Sequence, residues 1–372
     1  MTAPQRSIAI VNGTGRQASS VIRAVSALGW TVKAQIYSPH PVVKEELEEY
    51  DNVELFEAPL ENNTDLIDEL FEGCHYAFIN TFPVGDEVKL GKALADAAKR
   101  HRIQHYIYCS MPDHSVHNSQ WPGLPNWACK FTVENYIRQL GIPATFLYAG
   151  IYNNNFTSLP YPLFCMDFKD DDTIEWRAPF HPDTKLPWLD AETDTGPAVL
   201  QLFKDGISKW KDRRVALAFQ NLTPKEVCAA FERALNRPCH YTHDLHIEIK
   251  VPIPPNYREQ LAGIETLFGR YNAPYFPGPD FEYPSDSETR LDSGTRNGER
   301  PRVSGDRSRD GQAQGTGPRS ASTSTLRPKK LTSEARRLWP GFRRMEDYAR
   351  EAFPIEEEAN GKTWMKDKSI ST

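Results

Sequence analysis

Residues 8–20 read I-A-I-V-N-G-T-G-R-Q-A-S-S: an apolar run meets a glycine turn, and a helix start follows. Gly13, Gly15 and Ala18 form G-x-G-x-x-A, in which glycines let backbone N–H groups approach a diphosphate and a small third residue lets helix pack on strand. The N-terminus of the helix adds the positive end of its dipole. In a second register Asn12, Gly15 and Ala18 fill the three small positions, and Asn accepts a positive φ better than most residues. The amphipathic run Val21–Leu28 after the turn completes a strand–turn–helix unit. The expectation is a dinucleotide site rather than a bare β–α turn.

Strand two, Thr31–Tyr37, ends in Tyr37-Ser38-Pro39-His40. NAD-selective sites place an Asp or Glu about 20 residues past the glycines to bond the ribose 2′-OH. No carboxylate occurs between Gln17 and Lys44, and Arg16 is close by. The site is therefore expected to take NAD and NADP without strong preference.

The alternation continues through strand Val53–Glu57, helix Thr64–Leu70, strand Tyr76–Asn80, helix Asp86–His101, strand Tyr106–Cys109, helix Lys130–Leu140 and strand Ala144–Ala149. Such a pattern means an α/β fold: a Rossmann-type, doubly wound parallel sheet with helices on both faces. The expected divisions are a dinucleotide-binding domain over 1–150 and a smaller mixed cap or partner-binding domain over 151–283. A low-complexity insertion over 284–330 and a helical segment over 331–372 that completes the second domain follow. Residues 284–330 hold no aromatic residue, and their ten Arg/Lys face six Asp/Glu. Too little apolar surface is available there for independent folding, and disorder is expected. Leu331–Phe353 reads as one helical stretch, followed by Glu356-Glu357-Glu358.

A net charge of -6 and a pI near 6.0 argue against direct nucleic-acid binding, which needs a basic face. Six cysteines without a C-x-x-C pair and an N-terminus without an apolar signal region point to a reducing compartment, and no apolar run is long enough to span a bilayer.

Short-chain dehydrogenases use Tyr-x-x-x-Lys one helical turn apart, the lysine lowering the tyrosine pKa for proton transfer. Lys130 is suitably placed after strand five, but four residues earlier stands Asn126, whose amide has no proton to exchange near pH 7. No catalytic residue is assigned. Ser110, Asp113 and His114 lack a nucleophile elbow. Cys239, His240, His243 and His246 would alternate across a strand, so no metal site is assigned. Tyr152-Asn153-Asn154-Asn155 follow strand six, where loops at the carboxyl ends of strands face a ligand.

The segments V-N-G-T-G-R-Q-A, H-Y-I-Y-C-S-M-P-D-H-S, K-F-T-V-E-N-Y-I-R-Q-L-G, Y-A-G-I-Y-N-N-N-F-T-S-L-P-Y-P-L-F and E-A-F-P-I-E-E-E-A-N-G resemble the NmrA-like family, atypical short-chain dehydrogenase folds. The resemblance spans Ile8 to Met365 outside the insertion. It implies a negative transcriptional regulator of nitrogen catabolic genes, acting in nitrogen metabolite repression as a redox sensor without turnover. Such a regulator binds oxidised NAD and NADP together with a GATA-type zinc-finger transcription factor, and works in nucleus and cytoplasm. It also implies dinucleotide contacts at Asn12, Gly13, Thr14, Gly15, Arg16, Gln17, Tyr37, Ser38, Asn80, Thr81, Phe82, Lys130, Tyr152, Asn153, Asn154 and Asn155. Two positions depart from the family: Tyr37 where His is frequent, and Asn126 where Met is expected. The competing expectation is an NADPH-dependent reductase of the isoflavone-reductase type using Lys130, which would need an apolar pocket over the nicotinamide. The second half, from Glu334–Arg350 to the three glutamates, is expected to meet the basic zinc finger.

Overall fold

The computed structural model describes residues 6–36, 41–82, 85–254, 257–278, 280–282 and 329–364. Strands β1 (Ser7–Val11), β2 (Thr31–Ile36), β3 (Val53–Glu57), β4 (Tyr76–Ile79), β5 (His105–Ser110) and β6 (Ala144–Ala149) alternate with five helices. These are α1 (Arg16–Ser26), α2 (Pro41–Glu48), α3 (Thr64–Phe71), α4 (Glu87–Arg100) and α5 (Pro125–Leu140). The second half adds strands β7 (Ile151–Tyr152), β8 (Met166–Phe168), β9 (Ile174–Ala178) and β10 (Leu186–Leu189), then helices α6 (Ala191–Asp205) and α7 (Ile207–Trp210). Strands β11 (Arg214–Leu217) and β12 (Gln220–Leu222), helix α8 (Pro224–Leu235), strand β13 (Cys239–His243) and helix α9 (Tyr257–Ile264) follow.

The main sheet is parallel, in the order β11-β6-β5-β4-β1-β2-β3. Every residue of β5 and β6 is buried, as helices on both faces require. The order reverses between β4 and β1, and there the carboxyl ends of the strands open a crevice.

The sheet does not stop at residue 150. Its seventh strand, β11, pairs with β6 from Arg214 against Phe146 to Leu217 against Ala149, and α6 packs across α1. Without β11 the outer edge of β6 would present a row of unpaired backbone groups. The first domain is thus completed by residues from beyond the expected boundary. The rest of the second half builds small mixed sheets around an aromatic core. Phe156 lies 5.1 Å from Trp176, 5.5 Å from Trp188 and 5.1 Å from Phe231 between ring centroids.

Helix α5 starts at Pro125 rather than Lys130, because a proline's fixed φ suits the first helical position. Asn126 and Lys130 consequently stand one turn apart at its start. The expected single helix over 331–353 is two pieces. Ser333–Leu338 ends before Pro340 and Gly341, which cannot continue it, and helical turns resume over 345–359. The first piece packs Ala335 and Leu338 beneath the main sheet, whereas Met345, Tyr348, Ala349 and Phe353 join the core of the second half. The insertion, apart from Lys329 and Lys330, lies outside the described residues. Its flanks meet, with Phe281 paired to Lys329 and Glu282 to Lys330.

Candidate functional site

The glycine loop holds its shape through backbone contacts. Asn12 is left-handed, with φ 64°, and its N–H donates to Gln35 Oε1 at 3.2 Å. Gly13 N–H donates to Gln35 O at 2.7 Å and Gly15 N–H to Asn12 O at 2.8 Å. Neither Gly13 nor Gly15 has a positive φ; both are small because space is absent. A Cβ on Gly13 would lie 3.2 Å from the Ala34 Cβ, and one on Gly15 only 2.7 Å from Asn12 Nδ2. The strained position is thus Asn12, as the second register has it. Gly15 gives α1 no side-chain cap, which leaves the helix N-terminus available to an anion.

In front of this loop lies a cavity of about 400 Å³. Asn12, Gly15, Arg16, Gln17, Asn80, Thr81, Phe82, Lys130, Tyr152 and Asn155, all expected cofactor contacts, line it together. Gly13, Thr14, Asn153 and Asn154 do not line it, and Tyr37 and Ser38 lie outside the described residues. Asn153 is buried, and Asn154 joins two segments: its Oδ1 accepts from Ala191 N–H at 2.8 Å and its Nδ2 donates to Glu356 Oε1 at 3.0 Å.

Both cations of the described lining are engaged. Arg16 pairs with Glu192 at 2.5 Å and with Glu356 at 3.5 Å. The Lys130 ammonium donates to Thr81 O at 2.7 Å and to Glu87 Oε1 at 2.8 Å. The Gln17 amide donates to the Tyr152 hydroxyl, and burial lifts that phenol well above its ordinary pKa. Asn126 keeps its place one turn before Lys130, its backbone N–H donating to Gln260 Oε1 at 3.2 Å.

Beyond Lys130 the cavity becomes apolar, walled by Met111, Trp127, Leu163, Phe164, Phe180, Phe268 and Tyr275. Sequence reasoning missed this chamber because its walls come from separate segments with no shared motif. It also missed Glu87, Glu192 and Glu356, which are indistinguishable in sequence from helix-start or surface carboxylates.

Other groupings face elsewhere. Ser110 donates to Glu134 Oε2 at 2.7 Å rather than lining the cavity. His114 is wholly buried against Pro274 O, and burial lowers its pKa to about 4. His243 Nε2 sits 3.2 Å from Pro179 O, while His246 pairs with Glu265. Among the described residues no three His, Cys, Asp or Glu side chains are grouped as metal ligands. The Glu356-Glu357-Glu358 run is not the open acidic face expected of it. Glu357 is fully buried and accepts from Thr157 Oγ1 at 2.8 Å, Ser158 N–H at 3.0 Å and Trp364 Nε1 at 3.1 Å. Glu356 serves Arg16, Asn154 and Tyr348. Polar groups of β7–β8 and the glycine loop need these carboxylates as partners.

The model of the NmrA-like family matches residues 4–349. This chain belongs to the NmrA-like family. It is similar to the nitrogen metabolite repression protein nmrA of Emericella nidulans, at 56% identity over 98% of this chain and 100% of that protein. Two crystal structures of NmrA, a negative transcriptional regulator, are also similar, one in complex with NADP and one with NAD. Each is 53% identical, has a TM-score of 0.84 and covers 98% of this chain and 100% of that one. The NmrA-like membership agrees with the Rossmann-type sheet and its smaller mixed portion.

Proposed function

We propose that this NmrA-like protein is a negative regulator of nitrogen catabolic genes that binds oxidised NAD and NADP without turning them over. The carrying observation is the crevice at the end of β1, where an uncapped helix N-terminus faces Lys130 while Asn126 occupies the place of a proton donor. The residues fit a dinucleotide. The N–H groups of Arg16 and Gln17 at the uncapped α1 terminus would hold the diphosphate, Asn80 to Phe82 the riboses, and Lys130 the nicotinamide ribose. Tyr152 and Asn155 would border the nicotinamide. When bound, the dinucleotide can in principle exchange hydride; Asn126 cannot supply the accompanying proton. Similar proteins carrying the repression name, and NmrA structures holding NADP and NAD, support the reading.

Calorimetric titration with NAD, NADP, NADH and NADPH tests it. NAD and NADP should bind within about tenfold, ~1.4 kcal/mol, because no acid ends strand two. Gly15→Val should remove binding of both, since its side chain collides with Asn12 as well as the diphosphate space. Unchanged binding in a folded Gly15→Val protein would move the site elsewhere.

For the partner, we propose the basic zinc finger of a GATA-type factor, met in nucleus or cytoplasm by the second half of the chain. Glu356 and Glu357 being engaged internally, exposed carboxylates such as Glu351 carry the attraction. Pull-down of a GATA zinc finger should weaken as salt rises; salt-independent capture would contradict this.

The apolar chamber favours a second reading, a Lys130-dependent reductase, as it offers room for an apolar substrate. Steady NADPH consumption that disappears in Lys130→Ala would establish it.

A further inference from the structure

The crevice contains two cations, Arg16 and Lys130, among its described lining residues, and each is answered by a carboxylate from another element. Lys130 is the more deeply placed. Its ammonium lies 2.8 Å from Glu87 Oε1, and the two side chains are 14% and 3% exposed. Thr81 Oγ1 donates to the same Glu87 oxygen at 2.6 Å, while Glu87 Oε2 is buried and has no hydrogen-bond partner among the described residues. A buried carboxylate oxygen left without a donor is costly, so its position calls for an explanation beyond packing. Glu87 is also the first residue of α4, where the helix dipole favours its negative charge.

A dinucleotide lying from the glycine loop to Lys130 brings its nicotinamide ring beside this pair. The oxidised ring is a cation and the reduced ring is neutral. An unanswered ammonium would oppose the oxidised ring alone, and in partly buried surroundings a unit charge a few ångströms away changes binding by about tenfold or more.

We infer that Glu87 determines the redox preference of the crevice: by neutralising Lys130 it allows the cationic, oxidised nicotinamide to bind there. Lys130 can then serve the ribose as a hydrogen-bond donor without acting as a net positive charge on the ring. Glu87 acts through Lys130 and touches no part of the dinucleotide in this account, so it is a specificity-determining residue rather than a catalytic one. The inference rests on the dinucleotide reading above.

The test is titration of the full-length protein and its Glu87→Gln, Lys130→Met and doubly substituted variants with NAD and NADH. Glu87→Gln should lower the preference for NAD over NADH by about tenfold. Lys130→Met should move the preference the other way, because the carboxylate is then unanswered, and the double variant should return close to the starting ratio. A ratio unchanged in Glu87→Gln, or equal weakening of both forms, would overturn the inference and leave dinucleotide binding intact. If Glu87→Gln fails to fold, judged by near-ultraviolet circular dichroism, Lys130→Met decides alone: no rise in the NAD preference refutes the charge argument. A parent protein that binds neither form would overturn the dinucleotide reading, and this inference with it.

Discussion

Helices α1 and α6 lie against each other and are specified in opposite ways. Helix α1 is defined by its own sequence, with Ala18, Val21, Ile22 and Val25 buried on one face straight after the glycine loop. Helix α6 contains Gly196 and Pro197 within its span, a pair that disfavours a helix in isolation. It exists because α1 is there. The Gly196 N–H donates to Ser20 Oγ at 2.9 Å, and Pro197 has no N–H to satisfy. Asp190 holds the start of α6, accepting from Glu192 and Thr193 N–H at 3.1 and 3.0 Å. From that start Glu192 reaches Arg16 of α1. The lesson is that the helix at the crevice is written locally, while the helix that backs it is assembled only by the tertiary fold.

The severest way to break that arrangement is at the crossing point. A Cβ on Gly196 would lie 2.0 Å from Ser20 O and 3.0 Å from Ala24 Cβ, so backbone itself would have to move. Gly196→Val should destabilise the protein by about 3 kcal/mol or more, at the upper end of overpacking effects. Thermal or urea unfolding measures it. A stability loss below about 1 kcal/mol would show that α6 can ride away from α1, contradicting the dependence argued here.

The C-terminal segment is the second element that depends on distant partners. Glu357 satisfies donors of Thr157, Ser158 and Trp364 from a fully buried position. Glu357→Ala strands those donors, each at roughly 1 kcal/mol or more, and should cost about 2 to 4 kcal/mol. Limited proteolysis should then cut first within 345–364. Equal protection in the variant would mean that apolar contacts through Tyr348 and Phe353 suffice to hold the segment.

These cases show what a sequence can and cannot disclose. The loop from Asn12 to Gln17 and the strands β1 to β6 were legible because strand, turn and helix are encoded within a dozen residues of one another. The start of α5 was missed by a few residues although Pro125 marked it. Strand β11 was not legible as part of the first sheet: R-V-A-L suits any sheet edge, and only the exposed side of β6 selects it. Glu87 reads as a helix-start acid, and its pairing with Lys130 joins two helices far apart in the chain. The apolar chamber was invisible because Phe164, Phe180 and Phe268 share no period or motif. The glutamates at 356–358 were misread as an open acidic face since charge alone does not reveal burial.

A gentler probe of α6 uses pH. Asp194 is wholly buried, and burial, reinforced by the neighbouring Asp190, raises its pKa from 3.8 to about 7. The folded state then keeps a proton that the unfolded chain releases above about pH 4, so the stability contributed here falls as pH rises from about 4 to about 7. The loss by pH 8 should be on the order of 1 to 3 kcal/mol. Asp194→Asn, which retains the oxygen accepting from Arg343 N–H at 3.0 Å, should flatten that part of the pH–stability curve. A slope of the same size in the variant would assign it to another group.

The smallest effect is expected from removing residues 285–327. Phe281–Glu282 pairs in parallel with Lys329–Lys330, which brings the two flanks to the separation of neighbouring strands, roughly 4.8 Å. A Gly-Ser linker of about six residues can join them. Loop-closure entropy changes by only ~0.6 kcal/mol per halving of length, so the shortened chain should be at most ~2 kcal/mol more stable. The excision leaves every described lining residue of the crevice in place, so NAD and NADP affinities should be unchanged. Capture of the GATA zinc finger should also survive, because the proposed acidic contacts, Glu351 among them, remain. A fall in melting temperature would show that the excised residues support the fold. Loss of zinc-finger binding with the melting temperature intact would instead place the partner on the insertion and overturn its assignment to the acidic C-terminal segment.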